Sequence, residues 1–195
     1  METASIGLRA KTGRAIAVIL TGPVEAPVAL LRTELTFATA RTPATYQPYH
    51  EVMNLPWERA QLAVEKPESA LVAAAAAALG RLIRQARADG NIIRSAGIVG
   101  APRRNVGSIA SPHIRAHAAE GVLFRRILEK AAVENGIKWA AYAERGLEDV
   151  AMKELGLTRL VIHENLSKFG RSLGRPWRAD EKTASMGAWL ALGRV

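Results

Sequence analysis

The sequence predicts an α/β fold in which a mixed five-stranded sheet is flanked by helices. Two observations predict it: short β-branched runs bounded by turn residues, and longer stretches whose apolar residues recur every three or four positions. Their order along the chain is βββαβαβα. With 195 residues, 49% of them hydrophobic, the chain has the size of one domain and enough apolar side chains for a core. We therefore expect a single domain over residues 1–195.

The first three elements are predicted strands. Ile6 to Lys11 and Arg14 to Thr21 flank the dipeptide Thr12-Gly13, whose turn chemistry favours a hairpin. Gly22-Pro23 ends the second strand. In the stretch Val28 to Ala38, alternate residues share one face, as in a third strand. A three-stranded meander follows.

Two helices and two strands are predicted next. After an irregular, proline-containing excursion over 41–57, an amphipathic helix is indicated by apolar residues at three- and four-residue spacing: Val72, Ala76, Leu79, Ile83 and Ala86. Ile92 to Val99 is typical of a buried strand. A loop leads into a second helix, which Pro112 starts and which runs to about Glu134 before Asn135-Gly136. Ile137 to Ala143 is the fifth strand.

The last part of the chain is predicted to be mostly helical. A short helix covers Leu147 to Leu155 and a short strand covers Leu160 to His163. A basic, glycine-containing connection, Lys168 to Arg178, then leads to a final helix over roughly Asp180 to Leu192.

Composition narrows the classes of partner and compartment. The net charge of +9 favours an anionic partner such as nucleic acid. The absence of cysteine excludes disulfides, thiolate metal sites and cysteine nucleophiles. The longest apolar tract, Ala70 to Leu79, is far shorter than the ~20 residues that cross a bilayer. Met1 to Leu8 lacks the features of a signal peptide. We expect a cytoplasmic protein with no membrane partner.

The closing segment WRADEKTASMGAWLAL places an acidic residue at the opening of an alanine-rich last helix. Together with the element order, this layout resembles the ribonuclease-H-like fold and, within it, Holliday-junction resolvases of the RuvC type. The resemblance is one of topology and covers most of the chain. It implies carboxylates from the first strand, the fourth strand and the last helix, which hold two divalent metals, Mg²⁺ or Mn²⁺, for in-line attack on a phosphodiester.

This chain departs from that pattern at two of the three positions. Residues such as Leu8, Arg9 and Ala10 occupy the first-strand position, and the strand over 92–99 contains no acid. Asp180, or its neighbour Glu181, fits the last-helix position.

The segment SPHIRAHAAEG carries a local candidate site. On a helix, His113, His117 and Glu120 project within roughly 60° of one another. The helix begins beyond the end of a central strand, where ligand crevices form in α/β sheets. Two imidazoles and a carboxylate suit a divalent metal, acid–base catalysis or phosphate contact. The structural alternative is that His117 bonds a loop carbonyl and Glu120 pairs with an arginine. His50 can reach the same crevice or be an ordinary surface histidine.

Asp180 is the second candidate. It shares a face with small residues that would approach the sheet closely: Ala184, Gly187, Ala188 and Ala191. An inward-facing acid at a helix start is either a functional carboxylate or an N-cap that accepts from an amide near Thr183. The predicted metal ligands are therefore Glu120 and Asp180.

Basic segments with interleaved aromatic residues predict a nucleic-acid surface. Arginines contact phosphates bidentately, and Phe169 and Trp177 could stack on bases. The predicted contacts are Arg103, Arg104, Lys168, Arg171, Arg175, Trp177 and Arg178. The alternative is that each segment is a solvated, mobile loop.

Three hypotheses result. In the first, the protein is a metal-dependent, structure-specific endonuclease with His113, His117, Glu120 and Asp180 as catalytic residues. A metal held by Asp180, Glu120 and a histidine would activate water, and the remaining histidine would protonate the leaving oxygen. In the second, a catalytically inactive module of the same fold binds nucleic acid or a protein complex, which the missing first-strand acid favours. In the third, the sheet carries a small-molecule phosphotransfer or hydrolase site. The predicted partners are nucleic acid and, in a homodimer, a second copy of the chain.

Overall fold

A mixed five-stranded sheet organises the computed structural model, which describes residues 1–39, 41 and 43–194. Its strands are β1 (Glu2–Lys11), β2 (Arg14–Thr21), β3 (Val28–Thr36), β4 (Asn91–Gly100) and β5 (Lys138–Ala143). The strand order is β3-β2-β1-β4-β5. β2 pairs antiparallel with both β1 and β3, whereas β4 pairs parallel with both β1 and β5. The predicted meander and the predicted mixed sheet are thus confirmed.

The described residues also form seven helices. They are α1 (Pro43–Tyr46), α2 (Pro48–Glu51), α3 (Trp57–Ala88), α4 (Pro112–Glu134), α5 (Leu147–Leu155), α6 (Arg159–Leu173) and α7 (Ala179–Leu192). α4 begins and ends where the sequence predicts. The Ser111 hydroxyl accepts from the Ile114 amide at its start, and Gly136 follows its end with a positive φ of 67°. No described helix is long and apolar enough to cross a bilayer.

The predicted strand Leu160 to His163 is wrong, because this stretch is the first turn of α6. The Thr158 hydroxyl caps the helix by accepting from the Val161 amide at 3.4 Å. The buried residues Ile162, Leu166 and Phe169 then recur at helical spacing, so the longer pattern overrides the β-branched tetrapeptide. As a result, Lys168 and Arg171 lie on a helix instead of in a connecting loop.

The two faces of the sheet bury separate apolar clusters. On one face, Ile6 and Leu8 of β1 belong to the same apolar cluster as residues of α3 and α4. The other face packs against α7, whose Trp189 is fully buried. Because β1 side chains alternate between the faces, its even-numbered residues point to α3 and α4 and its odd-numbered residues to α7.

Contact between α7 and the sheet is close enough to require glycine in the strands. A Cβ on Gly7 would lie 1.7 Å from the carbonyl oxygen of Ala184, and one on Gly97 would lie 1.9 Å from that of Gly187. The Ser5 hydroxyl adds a hydrogen bond of 2.6 Å to the Ala188 carbonyl. The predicted approach of the small-residue stripe to the sheet is confirmed.

Candidate functional site

A crevice lies at the carboxyl ends of the three parallel strands. β1, β4 and β5 all end at this edge of the sheet, and the N-terminal turns of α4 and the short helix α2 close its far side. A cavity of about 450 Å³ results, and the side chains with titratable groups that line it are Arg9, Lys11, His50, His117, Glu120, Glu144 and Arg145. Ligand crevices in open α/β sheets form at this kind of edge.

Two cations from the end of β1 hold the acidic residues on one side of the crevice. Arg9 donates to the Glu144 carboxylate, Nη2 to Oε2, at 2.5 Å. Its Nε lies 3.6 Å from Asp180 Oδ1, and the Lys11 Nζ lies 2.9 Å from Asp180 Oδ2. The Arg9 side chain is only 12% exposed, so this guanidinium is a fixed positive charge in the wall of the crevice.

The structure decides which β1 residue faces the last helix. Leu8 is fully buried on the side of α3 and α4, and Ala10 belongs to the same cluster. Arg9 points instead to the side of α7 and reaches Asp180. A guanidinium therefore occupies the place from which a first-strand carboxylate would face Asp180.

The interpretation of Asp180 as an N-cap is wrong. α7 begins at Ala179, which makes Arg178 the capping residue, and the Arg178 amide donates to Glu181 Oε2 at 2.8 Å. Asp180 lies inside the first turn and turns its carboxylate to Lys11 and Arg9. The capping role belongs to its neighbour, Glu181.

Three histidines meet on the other side of the crevice. His113 and His117 occupy the first two turns of α4, one turn apart, and His50 approaches them from α2. The ring centroid of His117 lies 4.5 Å from each of the other two rings, and one nitrogen of each ring lies within 4.8 Å of the others. Among the described residues, this is the set of potential metal ligands close enough to share one ion. Neither Glu120 nor Asp180 belongs to it.

Glu120 lies directly behind His50. Its Oε1 accepts from the Tyr49 amide at 2.8 Å and lies 3.5 Å from His50 Nδ1, whereas its Oε2 is buried without a hydrogen-bond partner among the described residues. Burial raises the pKa of Glu120 to about 7, although hydrogen bonds from the Tyr49 and His50 amides oppose the rise. Burial also lowers the pKa of His50, and the neighbouring His117 and His113 lower it further. Glu120 is thus paired with amides and an imidazole where the structural alternative expected an arginine.

The predicted phosphate contacts divide between two regions. Arg103 and Arg104 are exposed in the loop between β4 and α4, and Arg103 is paired with Glu129 at 2.6 Å. Lys168 and Arg171 are exposed on α6, which packs on the opposite face of the sheet. Arg178 is also exposed, at the start of α7.

The aromatic residues predicted to stack on bases pack against the protein. Phe169 is 3% exposed and lies in the core, 5.9 Å from the Trp189 ring, so its stacking role is wrong. Trp177 is half-buried and covers Gly170, where a Cβ would lie 2.5 Å from the indole. The exposed Arg175 precedes it, and its carbonyl accepts from Arg32 Nη2 at 3.2 Å.

Two solved structures are similar to this chain over nearly its whole length. A Thermus thermophilus RuvC structure is 10% identical in sequence, and the similarity covers 96% of this chain and 92% of that one with a TM-score of 0.54. T. thermophilus RuvC in complex with a Holliday junction substrate is 12% identical, with 97% and 92% covered and a TM-score of 0.50. This chain has the RuvC fold. The predicted ribonuclease-H-like class is thus confirmed at the level of the fold. No protein-family model and no curated protein sequence matches the chain.

Within the RuvC fold, the sequence analysis missed the cations that complete one side of the crevice and left the place of His50 open between two alternatives. Arg9 and Lys11 share the α7 face with Ser5 and Gly7 through the alternation of β1, a signal that was readable in the sequence. His50 had no comparable signal, because only the fold of the excursion between β3 and α3 brings it to α4.

Proposed function

We propose that this protein binds nucleic acid as a module of the RuvC fold whose crevice uses fixed cations where carboxylate-bound metals would act. The ion-pair cluster of Arg9, Lys11, Asp180 and Glu144 carries the proposal. A metal at Asp180 would have to displace Lys11, whose ammonium lies 2.9 Å from the carboxylate, and Arg9 would repel it. β4 offers no acid to compensate.

The predicted Mg²⁺ or Mn²⁺ at Glu120 and Asp180 is not supported by the residues around these two carboxylates. Mg²⁺ prefers oxygen ligands in near-octahedral geometry. Asp180 is engaged by two cations, Glu120 Oε1 already accepts from the Tyr49 amide, and the two carboxylates do not fall in one ligand group among the described residues. The endonuclease hypothesis keeps a direct test: cleavage of branched DNA that requires Mg²⁺ and is lost in Asp180→Asn.

Phosphate contacts at the crevice would come from its unpaired cations. Within the part of the chain that the structure describes, Arg145 lines the cavity without an ion-pair partner, and Arg104 is exposed in the adjoining loop. Arg9 and Lys11 are positioned by acids but still present donors at the cavity wall. Together with the overall charge of +9, these side chains favour a phosphate backbone over a neutral ligand.

Fluorescence anisotropy with a four-way junction, duplex and single-stranded DNA tests the proposal. We expect binding that weakens steeply with salt and is unchanged by EDTA, because the cations belong to the protein. For Arg145→Gln, the logarithm of the DNA-binding constant should fall less steeply with the logarithm of the salt concentration. The change in slope should correspond to the loss of about one phosphate contact. Arg87→Gln is the matched control, since Arg87 is exposed at the end of α3, beside the amino end of β4, at the opposite edge of the sheet. It should behave as the wild type.

Three results would contradict the proposal. One is an affinity that does not depend on salt, another is binding abolished by EDTA, and the third is an equal effect of Arg145→Gln and Arg87→Gln. A cytoplasmic location and a homodimer stay predictions, and sedimentation velocity with and without DNA measures the second.

A further inference from the structure

We propose that His50, His113 and His117 form a binding site for a divalent transition-metal ion, with Zn²⁺ as the best-suited ion. The three imidazoles come from two separate elements, yet one nitrogen of each lies within 4.8 Å of the others. Nitrogens bound to zinc lie about 2.0–2.1 Å from the ion, so in a tetrahedral site they are about 3.3 Å apart. Small rotations of the rings would bring these nitrogens to that spacing.

The local sequence explains why α4 presents two of the ligands together. His113 and His117 are separated by one helical turn, which places their rings on the same side of α4, with centroids 4.5 Å apart. Ser111 caps the helix, and Pro112 occupies its first turn, so the turn that carries His113 is well defined. Both histidines are exposed, so an ion can reach them from solvent.

His50 is oriented as a metal ligand by the carboxylate behind it. Its Nδ1 lies 3.5 Å from Glu120 Oε1, and its Nε2 is buried without a hydrogen-bond partner among the described residues. Metal-binding histidines usually donate their second ring nitrogen to a carboxylate or a carbonyl, which sets the tautomer and the ring orientation. The Tyr49 amide in turn donates to the same oxygen and holds Glu120 in place. Glu120 is therefore a positioning residue for this site.

The donor set determines the class of ion. Three imidazoles suit Zn²⁺ and its neighbours Co²⁺, Ni²⁺ and Cu²⁺, whereas Mg²⁺ prefers oxygen ligands. No fourth histidine, aspartate or glutamate joins the group in the residues that the structure describes. A solvent molecule would complete a tetrahedral ion, which leaves one exchangeable position next to the cavity that His117 lines. The site is independent of the nucleic-acid proposal.

The full chain, stripped with a chelator and dialysed, tests this site with Zn²⁺ and Co²⁺ alone. We expect one bound Zn²⁺ per chain by elemental analysis, and visible absorption of tetrahedral Co²⁺ that Zn²⁺ abolishes and excess Mg²⁺ does not. His117→Ala should lose the bound equivalent. Glu120→Gln should weaken binding by about 10–100-fold while retaining the Co²⁺ spectrum.

His163→Ala is the matched control, because His163 is the fourth histidine of the chain and pairs with Glu148 on α5, away from the crevice. It should bind the ion as the wild type does. The proposal is overturned if no ion binds at micromolar concentration, if His117→Ala still binds, or if His163→Ala loses the ion equally. Circular dichroism of each variant separates loss of a ligand from loss of the fold. Anisotropy in EDTA reports nucleic-acid binding separately, so either proposal can fail alone.

Discussion

Glu120→Gln should stabilise the metal-free protein at alkaline pH and do so progressively less as the pH falls. The Glu120 carboxyl is buried, and its pKa is raised from 4.5 to about 7. Glutamine keeps an oxygen for the Tyr49 amide but cannot ionise. The substitution therefore removes the free-energy cost of holding a carboxylate in this position.

The sign and size follow from proton linkage. Between the ordinary pKa of 4.5 and the folded value of about 7, the folded state retains a proton that the unfolded state releases. Stability contributed by the neutral carboxyl is therefore complete below about pH 4.5 and is lost as the pH rises to about 7. At about 1.4 kcal/mol per pKa unit, the total loss is about 3–4 kcal/mol. Most of it falls between about pH 5 and about pH 8.

Urea unfolding of wild type and Glu120→Gln in EDTA, at these two pH values, measures the effect. His50 acts in the opposite direction, because its lowered pKa makes the wild type gain stability as the pH rises to about 6.5. Because His50 contacts Glu120, its titration need not be the same in the two proteins, so the pair is also compared in a His50→Gln background, which removes that contribution. Glu164→Gln, a substitution of an exposed carboxyl on α6, is the matched control. A wild-type-to-variant difference that changes by less than about 0.5 kcal/mol between the two pH values would refute the reasoning.

Three further outcomes are expected from denaturant unfolding. Gly97→Ala should cost at least about 2–3 kcal/mol, because its Cβ would lie 1.9 Å from a carbonyl oxygen of α7. Trp189→Phe should cost about 1–3 kcal/mol, since the fully buried indole donates a 2.8 Å hydrogen bond to a loop carbonyl. Glu68→Gln should destabilise the protein at neutral pH and progressively less in acid. Burial raises the pKa of Glu68, but hydrogen bonds from Lys130 and Arg126 lower it below 4.5 overall, so its contribution is lost as the pH falls through the folded pKa.

Each of these has a result that would contradict it. Gly97→Ala with wild-type stability would mean that α7 can move away from β4 at no cost. For Trp189→Phe, an unchanged unfolding midpoint would mean that the carbonyl finds another donor. For Glu68→Gln, a stability difference that stays constant from neutral pH to about pH 3 would show that the folded and unfolded carboxyls titrate alike.

Much of the fold was predictable because its signals are local. The turn Thr12-Gly13 sets the first hairpin, and the start and end of α4 are marked by Pro112 and by Asn135-Gly136. The first turn of α6 was predicted as a strand from four residues with β propensity. Those four residues are too few to outweigh a helical apolar pattern that continues to Phe169. Local propensity is thus reliable where caps and periodicity agree.

The candidate site was predictable only in part. The helical spacing correctly placed His117 and Glu120 at the crevice, with His113 beside His117 on the same side of α4. The same reasoning could not choose between the crevice and the open surface for His50, because its approach depends on how an irregular segment folds back onto α4. It also could not place the ion pairs of Asp180, because Lys11 lies 169 positions away in the chain and Arg9 lies farther still.

By itself, the sequence determined the α/β class, the order of the five sheet strands and of the helices α3, α4, α5 and α7 among them, and the excess of positive charge, since each depends on composition or on patterns within a few turns of chain. Only the tertiary structure decided that Arg9 and Lys11 neutralise Asp180 and that three histidines converge. Those arrangements depend on distances across the sheet edge, and such distances are set by how β1, α2, α4 and α7 pack. The chemistry of this crevice therefore depends on that packing, because the residues that orient its charged groups and neutralise them lie far away in the sequence.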